Sequence, residues 1–254
     1  GVLGECAFRQ TNFDAADVPR SVEDLTSGRA FRGAGQGFNI TIAPGTEVSM
    51  YTVSITEPHL FESNISGQFD SYYRNRIYNQ YTEERLSAGG NIGQRLGDVW
   101  VGNVSGNVQR VKLTNFDSDT PIQVYEDRGP DVFALIGGGL RRTTVDNPFR
   151  PGKGSVINLG LAKAIPLSGN VDYWRVNAEL ASFLTLYEDF LGRKHVLKLR
   201  TEAGWIFEGE APTFEKYYLG GRTFRGFQFR TVSPKSDVTV GTFPGGTGDF
   251  EPVG

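Results

Sequence analysis

Apolar and polar residues alternate along much of this chain, and that period-two pattern restricts its folding to strands more firmly than any other feature does. In Trp174 to Leu186, the residues Trp174, Val176, Ala178, Leu180, Leu184 and Leu186 fall on one face, and Arg175, Asn177, Glu179 and Thr185 on the other. In Val196 to Phe207, Leu197, Leu199, Ala203, Trp205 and Phe207 oppose Lys198, Arg200 and Glu202. Phe38, Ile40 and Ile42 alternate with Asn39 and Thr41; Tyr51, Val53 and Ile55 alternate with Thr52, Ser54 and Thr56. Ile157, Leu159 and Leu161 repeat the pattern until Lys163 interrupts it. Two architectures accept such strands. A soluble sandwich turns the apolar face inward, whereas a membrane barrel turns it to lipid and lines its lumen with the polar face. Length favours the barrel: several segments run about 10–13 residues, close to what a tilted membrane strand needs, where soluble strands average about 5–6. The mixed signs on the polar faces, as at Arg200 and Glu202, suit a packed polar interior and are also compatible with an exposed face.

The pattern predicts about ten strands, near 2–10, 37–43, 47–56, 64–74, 83–93, 99–113, 131–143, 154–164, 172–186 and 195–207. Pro44-Gly45-Thr46 and 94–98 read as tight turns, and 14–36, 116–130 and 208–254 as long loops. No helix-period stretch exceeds two turns. The expected class is all-β, antiparallel.

Composition narrows the function classes. A net charge of -3 with 22% charged residues gives no electrostatic case for nucleic acid. No run approaches the ~20 apolar residues of a membrane helix, but that leaves a membrane barrel open, because its strands average their two faces. Cys6 is the sole cysteine, so no internal disulfide forms. The opening Gly-Val-Leu-Gly-Glu is strand-like rather than a signal peptide.

Few chemical motifs survive inspection. Gly33-Ala34-Gly35-Gln36-Gly37 lacks the Gly-Lys-Ser/Thr ending of a phosphate loop and precedes a strand. His59, His195 and Cys6 are far apart and offer no metal-ligand spacing. Asp14, Asp17, Glu23 and Asp24 match no calcium loop, and no serine sits in a Gly-x-Ser-x-Gly elbow. No cofactor and no enzyme activity are expected. Trp174, Trp205, Tyr51 and Tyr187, near strand ends, are girdle residues in a barrel and core residues in a soluble protein.

One aperiodic run stands out: Tyr217-Tyr218-Leu219-Gly220-Gly221-Arg222-Thr223-Phe224-Arg225-Gly226-Phe227. Glycines permit left-handed backbone and close approach, and long ordered loops carry function more often than not. The run resembles the signature loop of the Omp85 superfamily, whose members assemble proteins in outer membranes. Other pieces follow in family order. Gly1 to Asp14 is similar to the family's second barrel strand, and Phe31-Arg32-Gly33-Ala34-Gly35-Gln36 to the start of its third. Thr56-Glu57-Pro58-His59-Leu60-Phe61 resembles the close of the fourth, and Asp146-Asn147-Pro148-Phe149-Arg150-Pro151 the periplasmic turn before the ninth.

The resemblance implies a partial transmembrane barrel, about ten of about sixteen strands. Residues 1–254 would belong to one C-terminal barrel domain, with 208–254 as its sixth outer loop and 14–36 as an enlarged periplasmic turn. POTRA modules and the last strands would lie outside this sequence, which is then a fragment. In the family, the loop tip folds into the lumen and its arginine pairs with a wall carboxylate. That role maps to Arg225, with Phe224 and Phe227 packed beside it and Gly220, Gly221 and Gly226 shaping the loop. The family's carboxylate lies in later strands, so Glu179 and Glu202 stand only as fallback partners. By resemblance the protein is an integral protein of a Gram-negative-type outer membrane that folds and inserts barrel proteins. Its partners would be unfolded outer-membrane clients, accessory lipoproteins and outer-membrane lipid. A secretion barrel of the same superfamily, a passive porin and a soluble sugar-binding β protein remain as alternatives.

Overall fold

The computed structural model describes residues 2–28, 30–117, 120–220, 224–227, 232, 241–243 and 246–248. Ten strands form one sheet in simple chain order, each antiparallel to the next: β1 (Cys6–Phe13), β2 (Gln36–Ala43), β3 (Val48–Glu57), β4 (Ile65–Ile77), β5 (Thr82–Leu96), β6 (Trp100–Thr114), β7 (Gly129–Thr143), β8 (Gly154–Ser168), β9 (Asp172–Glu188) and β10 (Lys194–Glu210). Two short helices, α1 (Val22–Thr26) and α2 (Ile122–Glu126), sit in connections, and a separate hairpin pairs β11 (Gly241–Phe243) with β12 (Gly246–Gly248). The sheet is not closed: β1 and β10 are its two edges. No described helix is long and apolar enough to cross a membrane.

The strands match the expected segments, with differences at their ends. β1 begins later than expected, and Leu3 makes only an isolated bridge to Gly45. Pro44 follows the end of β2 and has no N–H to continue the ladder. β8 runs on to Ser168 beyond Lys163, whose ammonium pairs with Asp172 and lies over the Trp174 ring. Pro166 is tolerated inside β8 because the β8–β9 pairing has ended at Ala164 and the β7–β8 register shifts beside it. The segment after β10 is not one uniform loop: it includes a 3-10 turn at Thr213–Glu215 and the β11–β12 hairpin.

Residues directly opposite across antiparallel strands share a face, so the register sorts the whole sheet. One face carries Glu83, Arg85, Gln109, Gly137, Asn158, Arg175, Asn177, Glu179, Arg200 and Glu202. The other carries Leu86, Ile92, Val104, Val108, Ile136, Leu140, Leu159, Leu161, Val176, Leu180, Leu184, Leu199 and Trp205, and these apolar side chains are exposed. Trp174 stacks on Phe207 and Tyr51 on Tyr73 along this outward face.

The buried hydrophobic core lies instead on the polar face, at one end. Tyr81, Val111, Leu113, Val124, Phe133, Ala164, Val171, Tyr173 and Phe214 form it. It is covered by the β4–β5, β6–β7 and β8–β9 connections and by the segment after β10, here called the loop end. The connections at the other end, β1–β2, β3–β4, β5–β6, β7–β8 and β9–β10, form the turn end.

Candidate functional site

At the loop end the chain leaves β10 and immediately turns back onto the polar face. Pro212 enters the 3-10 turn in extended conformation, where its fixed φ fits. Three consecutive residues of that turn are then fixed to different parts of the sheet. Thr213 donates both its backbone N–H and its hydroxyl to Asp127 Oδ2, each at 2.6 Å, tying it to the β6–β7 connection. Phe214 is buried in the core described above.

Glu215 is the hub. Arg85 on β5 donates from Nη1 to its Oε1 at 2.6 Å, and Tyr173 on β9 donates its hydroxyl to Oε2 at 2.7 Å. Arg175 Nη1, also on β9, reaches Oε2 at 3.4 Å. Arg85 is itself held from the wall. Its Nε donates to Glu83 Oε1 at 3.1 Å, its Nη1 to Gln109 Oε1 at 2.9 Å, and its Cζ lies over the Phe214 ring, 5.7 Å from the centroid. Arg74 on β4 pairs with the same Glu83 oxygen at 2.6 Å. Two carboxylates and three guanidiniums therefore alternate across β4, β5, β9 and the incoming loop. Arginine suits this arrangement because its planar fork serves several acceptors while staying charged. Glu83 is 1% exposed and the Glu215 and Arg85 side chains 5% and 9%, so each charge depends on its neighbours to offset the loss of water.

Beyond Glu215 the loop follows the polar face of β9 and β10. The Tyr217 ring lies over Gly204, where an added Cβ would come within 2.4 Å of it. The Tyr217 hydroxyl donates to the Asn177 side chain and approaches the Val176 carbonyl at 3.3 Å. Burial raises the pKa of this phenol. Next to it, an open cavity of about 1170 Å³ extends over β6 to β10, lined by Asn103, Ser105, Asn158, Arg175, Arg200 and Tyr218 among others.

The residues singled out from sequence are placed as follows. Gly220 has φ 121° and Gly226 φ 96°, both in the left-handed half of backbone space where glycine is favoured. Phe224 and Phe227 stack with centroids 4.9 Å apart, on either side of Arg225, which is exposed. Gly221 lies outside the described residues. Among the described residues no carboxylate pairs with Arg225. Glu179 accepts from Arg200 at 2.8 Å and from Asn158 at 2.9 Å, and Glu202 pairs with the same Arg200, so both fallback carboxylates are engaged there. Sequence reasoning did not find the Glu215 network. Its two local traces were the charge pattern Glu83-x-Arg85 and the pair Tyr173-x-Arg175, each on the polar face of a strand. No group of three or more His, Cys, Asp or Glu able to hold a metal occurs among the described residues.

A model of the Omp85 superfamily domain matches residues 30–252. The chain is 23% identical over 190 residues to the outer membrane protein assembly factor BamA of Nitratidesulfovibrio vulgaris, covering 73% of this chain and 23% of that protein. It therefore spans about a quarter of that relative's length. Among solved structures it is similar to BamA from Haemophilus ducreyi lacking POTRA domains 1–3. That likeness has a TM-score of 0.66 and 18% identity, covers 81% of this chain and 42% of the other, and speaks for the fold. With the family match extending over most of its length, the chain belongs to the Omp85 superfamily.

Proposed function

We propose that this chain is part of a transmembrane barrel in a bacterial outer membrane, and that the whole protein folds and inserts other barrel proteins there. The observation that carries the barrel reading is the outward, exposed apolar face set against a polar face that holds a buried ion network. In a flat sheet, β5 and β9 would stand about 19 Å apart. That Arg85 and Tyr173 reach the same Glu215 carboxylate supports a wall that bends around the loop. Closure would come from strands pairing with the β1 and β10 edges, which lipid does not leave open.

Superfamily membership and the likeness to an assembly factor support the insertase reading over a passive pore. Such a protein would use no nucleotide or cofactor. Client strands would add to an exposed edge by β-augmentation. Unfolded outer-membrane proteins and accessory lipoproteins would be its partners. Arg225, Phe224, Gly226 and Phe227 would form the loop tip in the lumen, and the Glu215 network would hold the loop's root. A secretion barrel of the same superfamily is the second reading, because superfamily membership alone does not separate the two.

The test is assembly of a client barrel by the full-length protein in lipid vesicles. Glu215→Ala and Arg225→Ala are each expected to lower the assembly rate while the protein still inserts. Wild-type rates in both variants would detach the loop from the function. Steep ion conductance unchanged by deleting residues 217–227, with no client assembly, would instead favour a passive porin.

A further inference from the structure

β10 does not run straight into the loop that follows it. Its register against β9 is regular from Val196 to Phe207, with Phe207 opposite Trp174, and then slips by one. Gly209, not Glu208, stands opposite Tyr173, and Glu210 stands opposite Asp172. Glu208 is therefore an extra residue in one strand, a β-bulge. Its φ is 51°, and among the described residues it is the one non-glycine inside a strand with a positive φ. Gly209 follows at φ 94° and lies so close to β9 that an added Cβ would collide with the Asp172 carbonyl oxygen. Such backbone is costly and persists only where its neighbours hold it.

The effect of the bulge follows from the two-residue period of a strand. Without the extra residue, every side chain after Phe207 would change face. Glu208 and Glu210 would then face the buried Tyr173 and Val171, and Ala211 would point away from the core. With it, Gly209 lies beside Tyr173, where no side chain fits, and Ala211 packs against the core. Pro212 is buried where the 3-10 turn begins. Thr213, Phe214 and Glu215 then arrive at Asp127, at the core and at the Arg85, Tyr173 and Arg175 group. The bulge and the hub meet at one residue, because Tyr173 stands opposite Gly209 and donates to Glu215. Glu208 is exposed, and its carboxylate takes part in none of these contacts.

We propose that Glu208 and Gly209 are positioning residues of the loop. Their backbone, not their side chains, sets the face on which the chain leaves β10, and through Tyr173 and Glu215 it fixes where the loop sits during client assembly. That last step rests on the assembly reading. A bulge either ends a ladder or re-aims the strand. Pairing with β9 continues past this one, at Gly209 and Glu210, so it re-aims.

The experiment varies charge and left-handed tolerance separately in the full-length protein. Two quantities are read: resistance of the folded protein to heating in detergent, and the initial rate of client assembly in vesicles per folded molecule. Glu208→Gln and Glu208→Asn should match wild type in both, because the charge is not used and asparagine accepts the left-handed region. Glu208→Val is an outlier in that region, and the Gly209→Ala methyl group meets the β9 backbone. Each should lower heat resistance and slow assembly about fivefold or more. Because the bulge acts through Glu215, adding Gly209→Ala to Glu215→Ala should lower neither quantity further. If Glu208→Gln falls as far as Glu208→Val, the carboxylate is what matters and the proposal is wrong. It is also wrong if Glu208→Val and Gly209→Ala equal wild type, or if the double variant shows the sum of the single losses. If wild type assembles no client while the heat-resistance pattern holds, the positioning role stands and the assembly reading fails.

Discussion

Glu215 shows how much one carboxylate can hold. It accepts from Arg85, Tyr173 and Arg175, so its loss takes one partner each from a buried guanidinium, a half-buried one and a phenol. Glu215→Ala is expected to cost about 3–5 kcal/mol, the usual penalty for breaking a buried pair from one side. Glu215→Gln, which keeps the shape and some of the hydrogen bonds, should cost less. Resistance of the folded full-length protein to heating in detergent reads both, and equal resistance in Glu215→Ala and wild type would show that the network carries no stability. This residue was not legible in the sequence. Its partner Arg85 is 130 positions away, and Glu215 itself sits in a segment with no period, so nothing local marks it as buried. The expectation from resemblance was a loop arginine meeting a wall carboxylate. At the loop root described here the polarity is reversed, a loop carboxylate meeting wall arginines.

Strands were legible because their signal is local: a period of two needs only a few residues to declare itself, and the ladder then enforces it. Their ends were less so, because they depend on neighbours. β1 starts late where Pro44 stops its partner, and β8 continues past Lys163 because its ladder with β7 runs on, Ala164 opposite Leu135 and Ile165 opposite Ala134. The connections hold further tests. Asp146 accepts backbone N–H groups of Lys153, Gly152 and Asn147, and these hold its pKa below the ordinary carboxylate value. A depressed folded pKa means that the turn's contribution is fully present above the unfolded value of about 3.9. It is lost as pH falls through the lower folded value. Amide exchange at Gly152 and Lys153, measured relative to the intrinsic rate at each pH, should therefore accelerate on acidification in wild type. It should be fast and free of that step in Asp146→Ala; a step of the same size in the variant would assign it to another group. On the opposite side of the sheet, Gly204→Val should expel the Tyr217 ring, since a Cβ there already collides with it. Faster protease cleavage near Tyr217 would report that, and an unchanged pattern would place the ring elsewhere in solution.

For the molecule as a whole, the decisive fact is which face meets which medium. A soluble sheet of this kind would hide Leu180, Leu184, Leu199 and Trp205, and here they point outward while Arg85, Glu83 and Glu215 are buried. That inversion fits a wall whose solvent on one side is hydrocarbon. Leu180 lies midway along β9, so in a barrel it faces the centre of the bilayer, where an arginine costs about 2–4 kcal/mol. Ser105, on the polar face, borders the open cavity and has room for a longer polar side chain. Leu180→Arg should sharply lower the yield of full-length protein folded into vesicles, and Ser105→Arg should leave it near wild type. If Leu180→Arg folds as well as Ser105→Arg, the apolar face meets water or protein rather than lipid. The sheet would then have to bury that face in some other assembly, and the barrel reading would fail.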